Sequence, residues 1–438
     1  MPKNSGQGND KDGFDEGYAR ALSLLFDCST PDGFLASPTK STNYRRVWAR
    51  DGVITTLAAL LTTDHELIST ARNTLVMLAE YQGPHGEIPS NIDPVASRVS
   101  YGGTAGRVDA DLWFVIGCAE YWHATGDDAF LEQVLPALEK VRFLLGCWEF
   151  NARGLLYVPH TGDWADEYLQ SGYVLYDQLL YLQAQRSLAA IHRHLHGGGD
   201  HALHERISRL VHLIRDNYWF DPDGDGIPDD AYHEVLYAKG RDAASPHCAG
   251  HHWMPFFNPH GYGYRFDAFA NVLASLVDVS DDTRRDRVDD FIDDNLINEA
   301  LPLLPAFHPV IKPVDDDWQD LQMTFSYTFK NRPFEYHNGG LWPMVTGFYV
   351  ADLAARGRHE RARQILGAIH HANALELHGE PWSFPEYVNG KTLAAGGTAR
   401  QAWSAAGAII GTHCLDGARL FALHDHGGAT NDAEEAAP

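Results

Sequence analysis

Apolar residues recur along this chain at helical spacing, and almost no segment alternates apolar and polar positions as a half-buried strand does. The pattern predicts twelve helices, near 14–27, 51–62, 65–81, 109–124, 127–146, 172–195, 200–217, 265–277, 282–295, 338–356, 359–374 and 399–423. They come in two alternating kinds. The odd-numbered helices are amphipathic. The third sets Leu67, Ala71, Leu75 and Leu78 on one stripe, with Thr63 and Glu66 spaced as a capping box. The fifth gathers Phe130, Val134, Leu138 and Val141 on one face, and the ninth is charged on all but a thin edge of Val288, Phe291 and Ile292. Even-numbered helices such as DGVITTLAALL and ADLWFVIGCAEYW are apolar or small nearly all round, as a helix enclosed by others must be. Six wet-sided helices alternating with six enclosed ones describe an all-α (α/α)6 barrel, an inner ring inside an outer one. It forms a single domain over 14–424, with small, polar stretches at 1–13 and 425–438 expected to be disordered.

The residues able to do chemistry collect just before each even helix. The loops are NYRRVWARD (43–51), SYGGTAGRVDADLW (100–113), HTGDWADEYLQSG (160–172), NPHGYGYRFD (258–267), RPFEYHNGGLWP (332–343), and PWSFPEYVNGK with ARQAW (381–403). In an alternating barrel all inner helices run the same way, so these six loops meet at one mouth. Connections at the other end, TTD (62–64) and TGD (125–127), are short and plain. At the mouth Trp48, Trp164, Tyr336, Trp342, Trp382 and Trp403 suit stacking on pyranose faces. Trp113, Asp163, Glu167, Arg265 and Arg400 add aromatic and hydroxyl-gripping candidates. Cutting a sugar–oxygen bond needs one carboxylic acid to protonate the leaving oxygen and an opposed carboxylate to activate water or attack carbon. Asp166, beside the apolar wall of Trp164, fits the acid, with Asp109, Asp163 and Glu167 as competitors. Glu386, flanked by Phe384, Pro385 and Tyr387, fits the second role.

Composition narrows the partners. Lys and Arg total 34 against 59 Asp and Glu, a net charge of −25, which disfavours nucleic acid and anionic membrane but does not repel a small neutral carbohydrate. No charged stretch followed by an apolar one opens the chain, and no apolar run approaches the roughly 18–20 residues of a membrane span. The expectation is a soluble, cytoplasmic protein. Five cysteines with no C-x-x-C pair argue against a disulfide framework or a zinc knuckle. The reaction calls for no cofactor. The turn DPDGDGIPDD (221–230) has the oxygen-rich spacing of a calcium loop, with Asp221, Asp223, Asp225, Ile227, Asp229 and Asp230 as candidate positions for a structural Ca²⁺.

Several fragments carry a family likeness. V-W-A-R-D (47–51), G-R-V-D-x-x-L-W (106–113), Y-H-N-G-G-x-W-P (336–343) and E-Y-x-x-G-K (386–391) resemble, in order and approximate spacing, the neutral/alkaline invertases of glycoside hydrolase family 100. A G-x-W-x-D at 162–166 is similar to the glucosidase domain of glycogen-debranching enzymes. The likeness runs from Asn43 to Gly411. It implies an acid at Asp166, a base at Glu386, sugar contacts from Arg50, Asp51, Asp109, His337, Asn338 and Trp342, and inversion at the anomeric carbon. Two departures bear on the substrate. Both families carry a glutamate early in the sixth helix, where this chain has Tyr176 with Asp177 beside it, and Glu167 and Tyr168 stand where invertases run arginines. The leading expectation is hydrolysis of a small α-glucoside, sucrose first. An α-1,6-glucosidase of debranching type is the near alternative; from other classes come a sugar epimerase working with histidine bases, and a non-catalytic sugar-binding protein.

Overall fold

The computed structural model describes residues 7–40, 43–221, 224, 226–244, 248–324 and 328–423, and they are mostly helical. Among the described residues there are fourteen helices. Six are enclosed: α2 (Ala49–Thr62), α4 (Val108–Thr125), α6 (Leu175–His196), α9 (Ala268–Leu276), α12 (Pro343–Ala355) and α14 (Ala402–Leu415). Every residue of α4 from Val108 to Tyr121 is buried, Asp109, Asp111 and Glu120 among them, in a sequence otherwise apolar or small. Six more are amphipathic: α1 (Gln7–Cys28), α3 (His65–Glu80), α5 (Asp128–Trp148), α7 (His201–Tyr218), α10 (Asp282–Asn295) and α13 (His359–Ala374). Two short ones, α8 (Glu234–Ala243) and α11 (Trp318–Gln322), lie in long connections and have little apolar stripe to announce them.

The enclosed helices touch in a closed cycle, α2 to α4, α6, α9, α12, α14 and back to α2. Hydrogen bonds at their N-termini follow the same cycle. The first N–H groups of a helix have no partner within it, and here each set borrows a carbonyl from the segment leading into the next enclosed helix. Ala49 N–H donates to Ser90 O at 3.0 Å, Val108 to Gly162 at 2.8 Å and Leu175 to Pro255 at 2.8 Å. Ala268 donates to Ala306 at 3.1 Å and Ala402 to Ala36 at 2.9 Å; ahead of α12, whose first residue Pro343 has no N–H, Leu341 of the entry segment donates to Val388 at 2.8 Å. All six entry segments therefore meet at one end. Short antiparallel pairs reinforce the stitching, such as Val47–Trp48 with Asn91–Asp93 and Phe266–Asp267 with Phe307–His308.

Some boundaries differ from the sequence expectation, each for a physical reason. The cap of α3 is Asp64, whose carboxylate accepts from the N–H groups of Glu66 and Leu67; Thr63 ends α2 in a left-handed conformation and does not form the expected capping box. α1 begins at Gln7 although its first turns are polar and lack the periodicity that marks the rest. α9 starts after Asp267, which caps it through Ala270 N–H. α12 starts only at Pro343, because Tyr336 and Gly339 adopt positive φ and proline is suited to the first helical position. α14 stops at Leu415; Gly417, at φ 100°, turns the chain back, and Phe421 ends fully buried against Trp113 and Phe348 of α4 and α12. Residues 425–438 lie outside the described residues. No helix of the described residues is long and apolar enough to cross a membrane.

Candidate active site

Asp166 sits on the loop that enters α6. Asp163 tightens this loop by accepting Ala165 N–H at 2.9 Å and Gln170 Nε2 at 3.0 Å, and a bridge between Val158 and Gly172 closes its base. Trp164 points inward and is fully buried, stacked on Phe307 at 5.7 Å with Trp342 and His337 against its edges. With Asp163 and Trp164 committed to the wall, Asp166 remains for the open side. Arg107 Nη2 donates to its Oδ2 at 3.0 Å, and Tyr336 O–H approaches Oδ1 at 3.4 Å.

Glu386 is presented by a hairpin in which Tyr387–Val388 pairs with Ala395–Gly396. Its Oε1 accepts Tyr44 O–H at 2.7 Å and its Oε2 accepts Thr398 N–H at 2.9 Å. Gly397 (φ 74°) lies so close that a Cβ there would sit 2.5 Å from Oε2, so only glycine fits beside this carboxylate. Trp382, Phe384 and Arg400, in the same segment of chain, also hold positive φ. Such backbone strain costs about 1–3 kcal/mol per residue and persists where surrounding packing over-determines it, often at functional sites.

The two carboxylates differ in electrostatics. Burial pushes Asp166 upward, but Arg107 and then Arg50, His337 and Lys330 outweigh it and hold the group below the ordinary aspartate range. Burial raises Glu386 above the ordinary glutamate range, despite opposing effects from Lys330, the Tyr44 hydroxyl and Thr398 N–H. Among its own side chains Asp166 is the more firmly ionised, the reverse of what the acid role asks.

Beneath the pair lies a second set. Arg50 Nη1 donates to Asp109 Oδ2 at 2.6 Å, Tyr176 O–H reaches the same oxygen at 3.3 Å, and Trp113 Nε1 donates to the Tyr176 oxygen at 2.8 Å. Tyr176 thus places a neutral donor on Asp109 where a glutamate would add a second buried negative charge. Asp177 is wholly buried with neither oxygen hydrogen-bonded, and burial drives it and Asp163 strongly toward the neutral form. Asp51 is pushed to about 7 by burial against the pull of Arg50. His337, stacked on Trp342 at 5.1 Å, is pushed by burial to about 3 and is neutral.

Other expected sugar contacts have further partners, some beside the two carboxylates and some away from them. Asn338 is a buried brace, exchanging hydrogen bonds with the Ile311 backbone and donating to Asn331 O. Arg400 is exposed and pairs with Asp27, and Trp382 lies under Arg20. Arg265 pairs with Asp317 at 2.6 Å and lines a cavity of about 1690 Å³ on the other side of the acid loop, a space that does not touch Asp166 or Glu386. Trp48 stacks on Tyr44 at 5.7 Å, and Trp403 packs on Trp342 at 5.4 Å with Arg50 over its face. Glu167 accepts Lys330 Nζ at 3.0 Å. In the acidic turn, Asp223 and Asp225 lie outside the described residues; Asp221, Ile227, Asp229 and Asp230 are exposed, and Arg241 donates to the carbonyls of Gly224 and Gly226. Among the described residues no group of three or more His, Cys, Asp or Glu is arranged to hold a metal.

Tyr44, Arg107 and Lys330 escaped the sequence reading. Tyr44 and Arg107 stand inside or beside recognised motifs. Lys330 precedes its motif by several residues and carried no signal.

Fold and comparison agree on the class. The chain superposes on a bacterial glucoamylase solved with acarbose (TM-score 0.61, 14% identity, 92% of this chain and 56% of that one). It also superposes on the mannosylglycerate hydrolase of Thermus thermophilus (TM-score 0.60, 15% identity, 90% of this chain and 99% of that one). The family described as "Amylo-alpha-1,6-glucosidase" matches residues 40–166, and "Alkaline and neutral invertase" matches 249–417. The chain is a glycoside hydrolase. Its more particular similarity is to alkaline and neutral invertases. It is 24% identical to a probable alkaline/neutral invertase D of Arabidopsis thaliana over 90% of this chain and 80% of that one. It is also 24% identical to cytosolic invertase 1 of Oryza sativa subsp. japonica over 90% and 76%.

Proposed function

We propose that this protein is an inverting glycosidase of a small α-glucoside, sucrose first, with Asp166 as general acid and Glu386 as general base. The observation that carries the proposal is the convergence of these two carboxylates, each with its own donors, at the end where six entry segments meet. The architecture proposed is the (α/α)6 toroid; the closed contact cycle of the enclosed helices supports it. The similarity to invertases over most of the chain supports the substrate. A cytoplasmic setting fits the five free cysteines.

The chemistry is a single displacement. Asp166 gives its proton to the glycosidic oxygen as the bond from the anomeric carbon to that oxygen breaks. A water molecule, losing a proton to Glu386, forms the new bond on the opposite face, so the configuration inverts. Arg107 keeps Asp166 ionised in the free site, so Asp166 takes up one proton from solvent as a substrate oxygen binds and the exclusion of water raises its proton affinity, and that is the proton it gives. A second reading exchanges the roles, and the raised proton affinity of Glu386 favours it.

One pair of variants separates them. Asp166→Asn and Glu386→Gln should each lower kcat on sucrose by roughly 10²–10⁴-fold. α-D-Glucosyl fluoride, whose leaving group needs little protonation, should restore turnover to Asp166→Asn alone. Rescue of Glu386→Gln would assign the acid to Glu386, and near-normal rates in both variants would dismiss the pair. Match to the amylo-α-1,6-glucosidase family over 40–166 favours isomaltose as the next substrate for the same assay.

A further inference from the structure

The connection between Phe307 and α12 reaches the acid loop through two adjacent side chains. Asn331, itself buried, donates from Nδ2 to the main-chain oxygen of Glu167, and Lys330 Nζ donates to Glu167 Oε1 at 3.0 Å. Glu167 directly follows Asp166, so this double attachment fixes the tip of the acid loop from across the pocket. The Lys330 ammonium also lies 4.9 Å from the centroid of the Tyr336 ring, within reach of a cation–π attraction. The hydroxyl of that ring approaches Asp166 Oδ1. The Lys330 side chain is 41% exposed while that of Glu167 is 10% exposed, which puts the ammonium at the lip of the pocket and its counter-ion in the wall.

We propose that Lys330 is a positioning residue for the reaction: its ammonium, held on Glu167 and over Tyr336, locks the acid loop in place and keeps one positive charge over both reacting carboxylates. The proposal rests on the assignment of Asp166 and Glu386 as that pair. Other charges are shared unequally. Asp166 also faces Arg107 and Arg50, besides the neutral His337, and so keeps two positive neighbours without Lys330. Glu386 faces Tyr44, the Thr398 backbone and the negative Asp166, and Lys330 is the strongest influence favouring its ionised form. Asp51 adds negative charge near both carboxylates, since it feels each of them. Removing the lysine charge therefore acts mainly on Glu386.

The test compares wild type with Lys330→Met and Lys330→Arg, reading kcat/KM against pH for sucrose and for α-D-glucosyl fluoride, with melting temperature as a control. Lys330→Met should move the Glu386 limb of the profile upward by about one pH unit, lowering the rate on that limb about tenfold. Lys330→Arg should return the limb to its wild-type position. Lys330→Gln carries the same comparison if the methionine variant folds poorly. Limbs that coincide with wild type, with a change in melting temperature only, would overturn the proposal. Its failure is distinct from failure of the underlying reading: in the first case Asp166→Asn and Glu386→Gln are inactive on sucrose while the Lys330 profiles do not move, and in the second those two variants stay active.

Discussion

Asp109 shows how much of this site is decided one residue at a time. Its carboxylate collects Arg50 and Tyr176, and Tyr176 in turn collects Trp113. None of the four touches bulk solvent freely, so each hydrogen bond is made where an unmade one is expensive, at about 1–3 kcal/mol. Tyr176→Phe should leave the Trp113 N–H and one Asp109 interaction unpaired. We expect it to raise KM for sucrose about tenfold with a smaller change in kcat, measured by steady-state kinetics. An unchanged KM would mean that Asp109 and Arg50 hold their places without it. At this scale the sequence was partly legible. Asp166 and Glu386 were singled out by apolar neighbours and by the family likeness together, since an aspartate before a helix also serves as a cap and Asp109, Asp163 and Glu167 competed for the acid role. Asn338 stood out equally, yet it braces two loops, since an amide that can satisfy several backbone groups looks the same in a motif as one that grips a sugar. Lys330 was invisible because its role comes from a salt bridge to a residue far away in sequence.

Elements were the most readable level, because each of the twelve expected helices was marked by its own hydrophobic pattern, wet-sided or enclosed, and that pattern survives in the structure. Ends were less so. The apolar Leu420 and Phe421 extend the periodicity of α14, but a glycine in left-handed conformation turns them inward. Phe421 then fills the space between Trp113 and Phe348, and the carboxylate of Glu120 accepts the N–H groups of Ala422 and Leu423. The C-terminal segment therefore supports Trp113 from behind, and through it Tyr176 and Asp109. Phe421→Ala should destabilise the protein by about 3–5 kcal/mol. A chain ending at Leu423 should melt like the full chain, and one ending at Arg419 should melt well below it. Equal melting of the two truncated chains would show that the segment is a passenger.

For the whole molecule, burial of acidic groups sets the response to pH. Glu120 is pushed from the ordinary glutamate value of 4.5 to about 7 by burial, against the pull of two backbone N–H groups. A carboxyl whose proton affinity is higher folded than unfolded favours the folded state while protonated. Its contribution is whole below about pH 4.5 and is lost as the pH rises through about 7. Asp51 and Asp267, also raised to about 7 by burial, add in the same direction. We expect wild type to lose melting temperature between pH 5 and 8, and Glu120→Gln to flatten that slope by on the order of 2–3 kcal/mol. Parallel curves for the two proteins would refute the assignment. The acidic surplus of −25 is thus carried on the surface and, in part, held neutral inside. The cycle of borrowed hydrogen bonds around the enclosed helices is the feature of this scale that no local pattern could reveal, since each bond joins segments that are remote in sequence.

Single displacement by the proposed Asp166 and Glu386 pair leaves a stereochemical signature in the first product formed. Proton NMR on sucrose mixed with fresh enzyme reports the first anomer formed before mutarotation. β-Glucose should appear first alongside fructose, and Glu386→Gln should abolish the signal. α-Glucose as the first product, or sucrose bound and left intact, would contradict single displacement by this pair.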